Sequence, residues 1–352
     1  MDVIDLLKDA VARHASDIFI VAGRPVVYKI NNNFEPMDDK SVILLPPNTS
    51  EIVKGLYEKA EDRDINKLSL GDDDFSLTIP GISRFRVNVY KQRGSLAAVV
   101  RVIRFELPNP EDLSIPKVVM NLANRRKGLM LITGTAGSGK STTLACLIDQ
   151  INKTRSEHII TLEDPLEYLH RHNRSIISQR EVLTDTESYI KAIRASLRQA
   201  PDVILLGEMR DHETISVAMT AAETGHLVFS TLHTVGAAHT IDRVIDAFPA
   251  NQQTQIRIQL SMILQAVVSQ QLVPTVDNKV TPAFEIMVVN SAIRNMIREA
   301  KIHQIDSVIH SSAAEGMITM DSSLLMLLKR GTISQKTAIE FSSNPEQMAK
   351  KV

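Results

Sequence analysis

The sequence predicts an α/β fold in two parts: a small α+β domain over residues 1–104, and a larger domain over 117–352 built on a mainly parallel sheet. Three observations predict it. In "SRFRVNVYK", Phe85, Val87 and Val89 alternate with Arg84, Arg86 and Asn88, the period of a strand with one apolar face. The stretch "ELPNPEDLSIP" at 106–116 holds three prolines and no periodicity, which marks 105–116 as a linker. Beyond it, apolar runs at 129–133, 158–162, 203–207 and 227–232 alternate with helical patterns, as in a parallel sheet covered on both faces.

The elements follow in order. Ile4, Leu7 and Val11 fall at helical spacing over 3–14. "SDIFIVAGRPVVYKINNNFEPM" reads as two strands followed by a turn at 31–33, and "SRFRVNVYK" joins "SLAAVVRVIRF" through a turn at 92–94. In the larger domain "GLMLIT" is a strand, and "ESYIKAIRASLRQA" is a helix with Ile190, Ile193 and Leu197 on one side. Residues 253–272 and 291–348 read as mostly helical. There are no internal repeats.

Composition excludes several classes. Apolar residues make up 43% of the 352 and charged residues 23%, ordinary for a globular chain. Lysine and arginine total 40 against 41 acidic residues, a net charge of −1, so no bulk electrostatic grip on nucleic acid or lipid is expected. The single cysteine, Cys146, excludes an internal disulfide and suits a reducing compartment. The acidic, amphipathic "MDVIDLLKDAVARHA" is unlike a signal peptide, and no apolar run approaches the ~20 residues of a membrane span. A cytosolic location is the expectation.

"GTAGSGKS" at 134–141 fits the phosphate-loop pattern G-x-x-x-x-G-K-[ST], with a strand before it and the helical "STTLACLIDQI" after it. Gly134, Gly137 and Gly139, with Thr135, Ala136 and Ser138 between them, let backbone N–H groups curl around a phosphate at a helix N-terminus. Lys140 reaches the β- and γ-phosphates, the Ser141 hydroxyl binds Mg²⁺, and Thr142 completes the cradle. The expected ligands are a nucleoside triphosphate and Mg²⁺.

Two acidic strand ends follow: "HIITLEDPLE", ending at Glu163 and Asp164, and "PDVILLGEMRD", ending at Glu208. Ligands sit outside the carboxyl ends of parallel strands, so both face the crevice of the phosphate loop. One carboxylate supports the metal and the other orients or deprotonates the attacking water. "TGHLVFSTLHT" places His226 and His233 at opposite ends of one strand, roughly 23 Å apart, too far to share a metal. His233 lies at the carboxyl end, where it senses the γ-phosphate with help from Thr231; a structural role is the plain alternative for His226.

The ordered blocks "GTAGSGKSTT", "ITLEDPLE", "PDVILLGEMRD", "TGHLVFSTLHT" and "SAIRNMIRE" resemble the secretion-superfamily ATPases, and among them the pilus retraction branch. The resemblance covers nearly the whole chain. It implies a PAS-like N-terminal domain, a RecA-like ATPase domain with ATP bound between the two, and a homo-hexameric ring. It also implies docking at the cytoplasmic face of the inner membrane on a pilus platform protein, with no nucleic acid partner and no insertion into the bilayer. Lys140 and Ser141 take the Walker A positions, Glu208 that of the Walker B glutamate, Glu163 that of the catalytic glutamate with Asp164 beside it, and His226 and His233 those of a paired-histidine block. Arg86 and Arg101 fall where the N-terminal domain approaches the nucleotide; charge on a solvated strand face is the alternative.

Departures from the branch are modest. Thr135 and Ala136 stand where relatives commonly carry Pro and Thr, "SDIFI" replaces a segment with a histidine, and the sequence differs just past His233. A tetra-cysteine zinc insert, found in many assembly ATPases, cannot form with one cysteine, which favours retraction over extension. In "AIRNMIRE", Ile293, Met296 and Ile297 share a helical face while Arg294, Arg298 and Glu299 project elsewhere, either as ordinary charge support or, with Arg294, Asn295 and Arg298 as candidate residues, as a relay to the pilus machinery. The alternatives are an assembly or type II secretion ATPase, a weakly catalytic accessory subunit, and a DNA-handling ATPase. Against the last stand 4% aromatic residues and no basic stripe.

Overall fold

Burying one face of a six-stranded antiparallel sheet under two helices organises the first hundred residues. The structure is a computed structural model that describes residues 2–30, 33–37, 42–60, 64–65, 68, 71–103 and 107–352. Contacts divide it into two units, Met1–Glu106 with Glu167–Leu169, and Leu107–Leu166 with His170–Val352.

In the first unit, α1 (Val3–Ala12) begins where Asp2 caps it, its Oδ1 accepting the Ile4 N–H at 2.8 Å. The strands are β1 (Asp17–Ile20), β2 (Val27–Ile30), β3 (Asn33–Pro36), β4 (Asp72–Ile79), β5 (Ser83–Gln92) and β6 (Ser95–Ile103), with α2 (Pro46–Lys59) between β3 and β4. They lie in the order β3-β2-β1-β6-β5-β4. Leu6 and Leu7 of α1, Val53 and Leu56 of α2, and the inward residues Phe85, Val87 and Val89 of β5 are fully buried in one core. The sequence pattern anticipates two strands before a turn at 31–33; instead Asn33 opens a third strand of 4 exposed residues, too short for its pattern to announce it. Asn31 and Asn32 lie outside the described residues, as do 104–106 at the expected domain boundary.

In the second unit, α3 (Lys117–Met120), β7 (Gly128–Thr133), α4 (Lys140–Thr154), β8 (His158–Glu163), β9 (Ile176–Glu181), α5 (Tyr189–Ser196), β10 (Val203–Leu206), α6 (His212–Glu223), β11 (Leu227–Leu232), α7 (Ala237–Asp246) and α8 (Ala250–Ile263) lead into β12 (Leu264–Pro274) and β13 (Val280–Val288). The sheet runs β13-β12-β7-β11-β10-β8-β9, parallel except for β13, which pairs antiparallel with β12. Side chains of β11 alternate between two cores: Val228 and Leu232 pack with α5 to α8, Leu227 and Phe229 with α4. Residues 107–116 belong to this unit, and Ile115 is buried in the α4-side core. The chain ends in α9 (Ser291–Arg298), α10 (Ile305–Ser311), α11 (Met320–Lys329), α12 (Gln335–Glu340) and α13 (Pro345–Ala349).

One expectation fails here. The sequence predicts helix through 253–272, but α8 stops at Ile263 and Leu264 turns to φ −64°, ψ 128° to start β12. The strand pairs with β7, Leu264 opposite Leu129 and Val268 opposite Ile132. Its polar residues Gln265, Ser269, Gln270 and Gln271 do not alternate with the apolar ones, so the strand lacks the period that distinguishes it from a buried helix.

Candidate functional site

The loop between β7 and α4 is shaped by what surrounds it. Gly134 has φ +141°, and a Cβ there would sit 2.1 Å from the Gln270 carbonyl oxygen, so only glycine fits. Gly137 (φ +75°) and Gly139 (φ +88°) take left-handed conformations, and Gly139 caps α4. Lys140, buried, folds back to donate to the carbonyls of Gly134 at 2.9 Å and Thr135 at 2.8 Å. Ser138 is 2% exposed, and its hydroxyl has no hydrogen-bond partner among the described residues. An orphaned hydroxyl beside the N-terminus of a four-turn helix is what a phosphate would complete. Thr135, Ala136 and Gly137 form the exposed tip, and Ser141 and Thr142 are half-buried in the first turn of α4.

Beneath the loop lies a residue that the sequence pattern does not flag. Gln270 of β12, 4% exposed, accepts the Thr143 hydroxyl through Oε1 at 2.8 Å, and its Nε2 lies 2.7 Å from where a Cβ on Gly139 would stand. It is the floor of the phosphate loop. No local signal reveals it, because its partner Thr143 lies far away in sequence.

The carboxyl ends of β8, β10 and β11 meet beside the loop. Gly207 donates to the Leu162 carbonyl at 2.8 Å, the Thr231 hydroxyl donates to the Gly207 carbonyl at 2.6 Å, and Met209 donates to the Thr231 carbonyl at 3.2 Å. That clamp presents Glu208, which is ion-paired with Arg210 and lies 3.4 Å from His233 Nε2. Burial pushes the Glu208 carboxyl up, but Arg210 and His233 outweigh it and hold it below its ordinary range. Glu163 ends β8 and Asp164 follows, joined to Pro165 by a cis peptide bond. Tyr189, at the start of α5, sits among these acids; burial, then Asp164, Glu208 and Glu163, push its phenol up. A cavity of about 440 Å³ opens between Glu208, Arg210, His233 and Arg243. The oxygen donors Ser141 and Glu208 are of the kind Mg²⁺ takes.

The remaining expected residues belong to other elements. His226 lies at the other end of β11, where its Nδ1 is 2.9 Å from the Ala221 carbonyl and 3.2 Å from the Thr224 hydroxyl, closing the end of α6. Arg86 and Arg101 belong to the first unit, opposite one another across β5 and β6. Each has a carboxylate: Asp17, buried, holds Arg101 at 3.0 Å, and Asp74 faces Arg86 at 3.6 Å. On α9, Ile293 and Ile297 are fully buried, the Arg294 Nε is enclosed without a partner among the described residues, Asn295 bonds Glu299 at 3.0 Å, and Arg298 is exposed. No helix among the described residues is long and apolar enough to cross a membrane.

A glycine-shaped phosphate loop on a parallel sheet, with acidic strand ends alongside it, defines a RecA-like P-loop nucleoside triphosphatase. The chain belongs to the Type II/IV secretion system protein family, which it matches over residues 2–325. It is 41% identical over 351 residues to the type IV pilus retraction ATPase PilT of Pseudomonas aeruginosa, covering 98% of this chain and 99% of that one. A twitching motility protein of Neisseria gonorrhoeae is 48% identical over 277 residues, 78% of this chain and 74% of that one. Among solved structures, the pilus retraction motor PilT with bound ADP superposes with a TM-score of 0.89 at 44% identity, covering 99% of each chain.

Proposed function

We propose that this chain is an ATP-hydrolysing motor that powers type IV pilus retraction, working as a homo-hexamer docked on the pilus platform protein at the cytoplasmic face of the inner membrane. The observation that carries this reading is the phosphate loop flanked by the Glu163 and Glu208 strand ends, in a chain similar over nearly its full length to a pilus retraction ATPase.

The chemistry follows from the residues. Backbone N–H groups of 134–142 and the ammonium of Lys140 hold the phosphates, the lysine exchanging its loop carbonyls for phosphate oxygens. Mg²⁺, when bound, would supply positive charge that offsets the charge of the phosphates. Ser141 and Glu208 would hold it, directly or through water, with Glu208 oriented by Arg210 and His233. Glu163 orients a water in line with the γ-phosphorus and takes its proton as the bond to the bridging oxygen breaks, leaving ADP and inorganic phosphate. Arg86 and Arg101 would stabilise charge on the transferred phosphoryl group once released from Asp74 and Asp17. Arg294, Asn295 and Arg298 on α9 would relay nucleotide state to the pilus machinery.

The test is ATP hydrolysis across protein concentrations, wild type beside Glu163→Gln. A rate per subunit that climbs with concentration, and a mutant without turnover, support the motor. Wild type that binds Mg-ATP but turns over no faster than the mutant at every concentration leaves a nucleotide-dependent accessory subunit instead.

A further inference from the structure

A carboxylate unused by this chemistry lies deep in the second unit. Glu285 of β13 is 6% exposed, yet both of its oxygens are engaged. Oε1 accepts the Ala237 N–H at 2.7 Å, and Oε2 accepts the Met320 N–H at 3.3 Å. Ala237 is the first residue of α7, four beyond His233, and Met320 is the first residue of α11. One buried carboxyl group therefore closes two helix N-termini, accepting N–H groups that would otherwise be unpaired, while burial pushes it above its ordinary range. At α7 the cap residue is Gly236, which has no side chain to do this locally; its N–H goes to Ser269 Oγ of β12 at 2.9 Å.

The far side of Glu285 is a single block. Ile286 and Ile318 exchange backbone hydrogen bonds of 2.8 and 3.1 Å, and the Phe284 N–H donates to Ser323 Oγ at 3.1 Å, so the first turn of α11 is fastened to β13. The near side is the short loop 234–236, which begins directly after the imidazole that contacts Glu208. Glu285 joins the two.

We propose that Glu285 is a positioning residue of the nucleotide site: it fixes the loop after His233, hence the imidazole at Glu208, and passes displacement of that loop to the N-terminus of α11. The inference rests on the ATPase reading above, since bound nucleotide is what displaces the loop. An amide at 285 offers one acceptor and must turn its NH₂ toward the other helix N–H, so Glu285→Gln uncouples one helix from the other while keeping the volume.

The experiment uses full-length wild type, Glu285→Gln and Ser269→Ala, each checked for a cooperative melt. Steady-state hydrolysis of ATP is measured with amide hydrogen exchange, with and without a non-hydrolysable ATP analogue and Mg²⁺. In wild type the analogue alters exchange at both 234–238 and 320–323. In Glu285→Gln the change at 320–323 is lost, and kcat falls about tenfold with KM for ATP nearly unchanged, the scale of one hydrogen bond. Ser269→Ala loosens the same loop from the other strand, so it lowers kcat but keeps the response at 320–323. The proposal is overturned if the analogue leaves 320–323 unaltered in wild type, or if Glu285→Gln retains both wild-type kcat and that response. Should Glu285→Gln not fold, an unaltered kcat in Ser269→Ala overturns it equally. Wild type that neither binds nor hydrolyses ATP refutes the ATPase reading instead, so the two failures are separate.

Discussion

Replacing Gly134 with alanine should damage the phosphate loop far more than the same change at Gly137. The added Cβ at Gly134 would stand 2.1 Å from the Gln270 carbonyl oxygen and 2.7 Å from Ser138 Oγ, at φ +141°. A backbone carbonyl in a central strand cannot step aside, because β12 is paired on both edges, with β7 and β13. Overpacking against main chain and a positive φ each cost about 1–3 kcal/mol, so we expect a loss of about 3 kcal/mol. At about 2–4 °C per kcal/mol for a domain of this size, the melting point drops by about 6–12 °C. Gly137 has nothing within 4 Å of its Cβ position and meets only the cost of φ +75°, about 1 kcal/mol. The assay is thermal unfolding of both variants, with and without ADP. Gly134→Ala should also lose the stabilisation that ADP gives wild type. A Gly134→Ala protein that melts within about 2 °C of Gly137→Ala, with its ADP response intact, would refute the idea that Gln270 is a rigid floor.

Three further outcomes are expected. Burial pushes His170 down to about 4, partly offset by Asp149, so the unfolded chain binds the extra proton between the ordinary 6.5 and that value. Stability should therefore fall as pH drops through this window, and His170→Asn should flatten the fall by up to about one proton in denaturant titrations at successive pH values. Cys146, pushed up to about 11 by burial and by Asp149, should resist alkylation at pH 8 in the native protein and react when it is unfolded; equal rates in both states would contradict its placement. On the retraction reading, Arg294→Ala should leave ATP hydrolysis within about twofold of wild type while abolishing pilus retraction; joint loss of both would remove the separation of roles.

Motifs that carry their own geometry were legible in the sequence. The strand, glycine turn and helix of 128–154 form where the pattern requires, because the glycines, the lysine and the apolar flanks all encode one local conformation. The run 227–232 is a strand to the residue. What escaped is set by residues distant in sequence. Gln270 and Glu285 act on loops more than forty residues away, and nothing local to either distinguishes it from a surface residue. The alternation in β5 identified the face that carries Arg86, but not Asp74 or Asp17, since cross-strand partners depend on register. Strand β12 reads as helix because its polar residues Gln265, Ser269, Gln270 and Gln271 do not fall at every second position, and its partners β7 and β13 are set by register rather than by anything local.

The folded-back Lys140 has a consequence for where binding energy goes. Its ammonium is already satisfied by two carbonyls of its own loop, and the loop is already curled. An arriving nucleotide therefore exchanges one set of acceptors for another and orders little chain as it does so. Pre-organisation of this kind leaves the free energy of binding largely unspent at the point of contact. That surplus is available for rearranging something elsewhere, which is what a machine that turns nucleotide occupancy into movement requires.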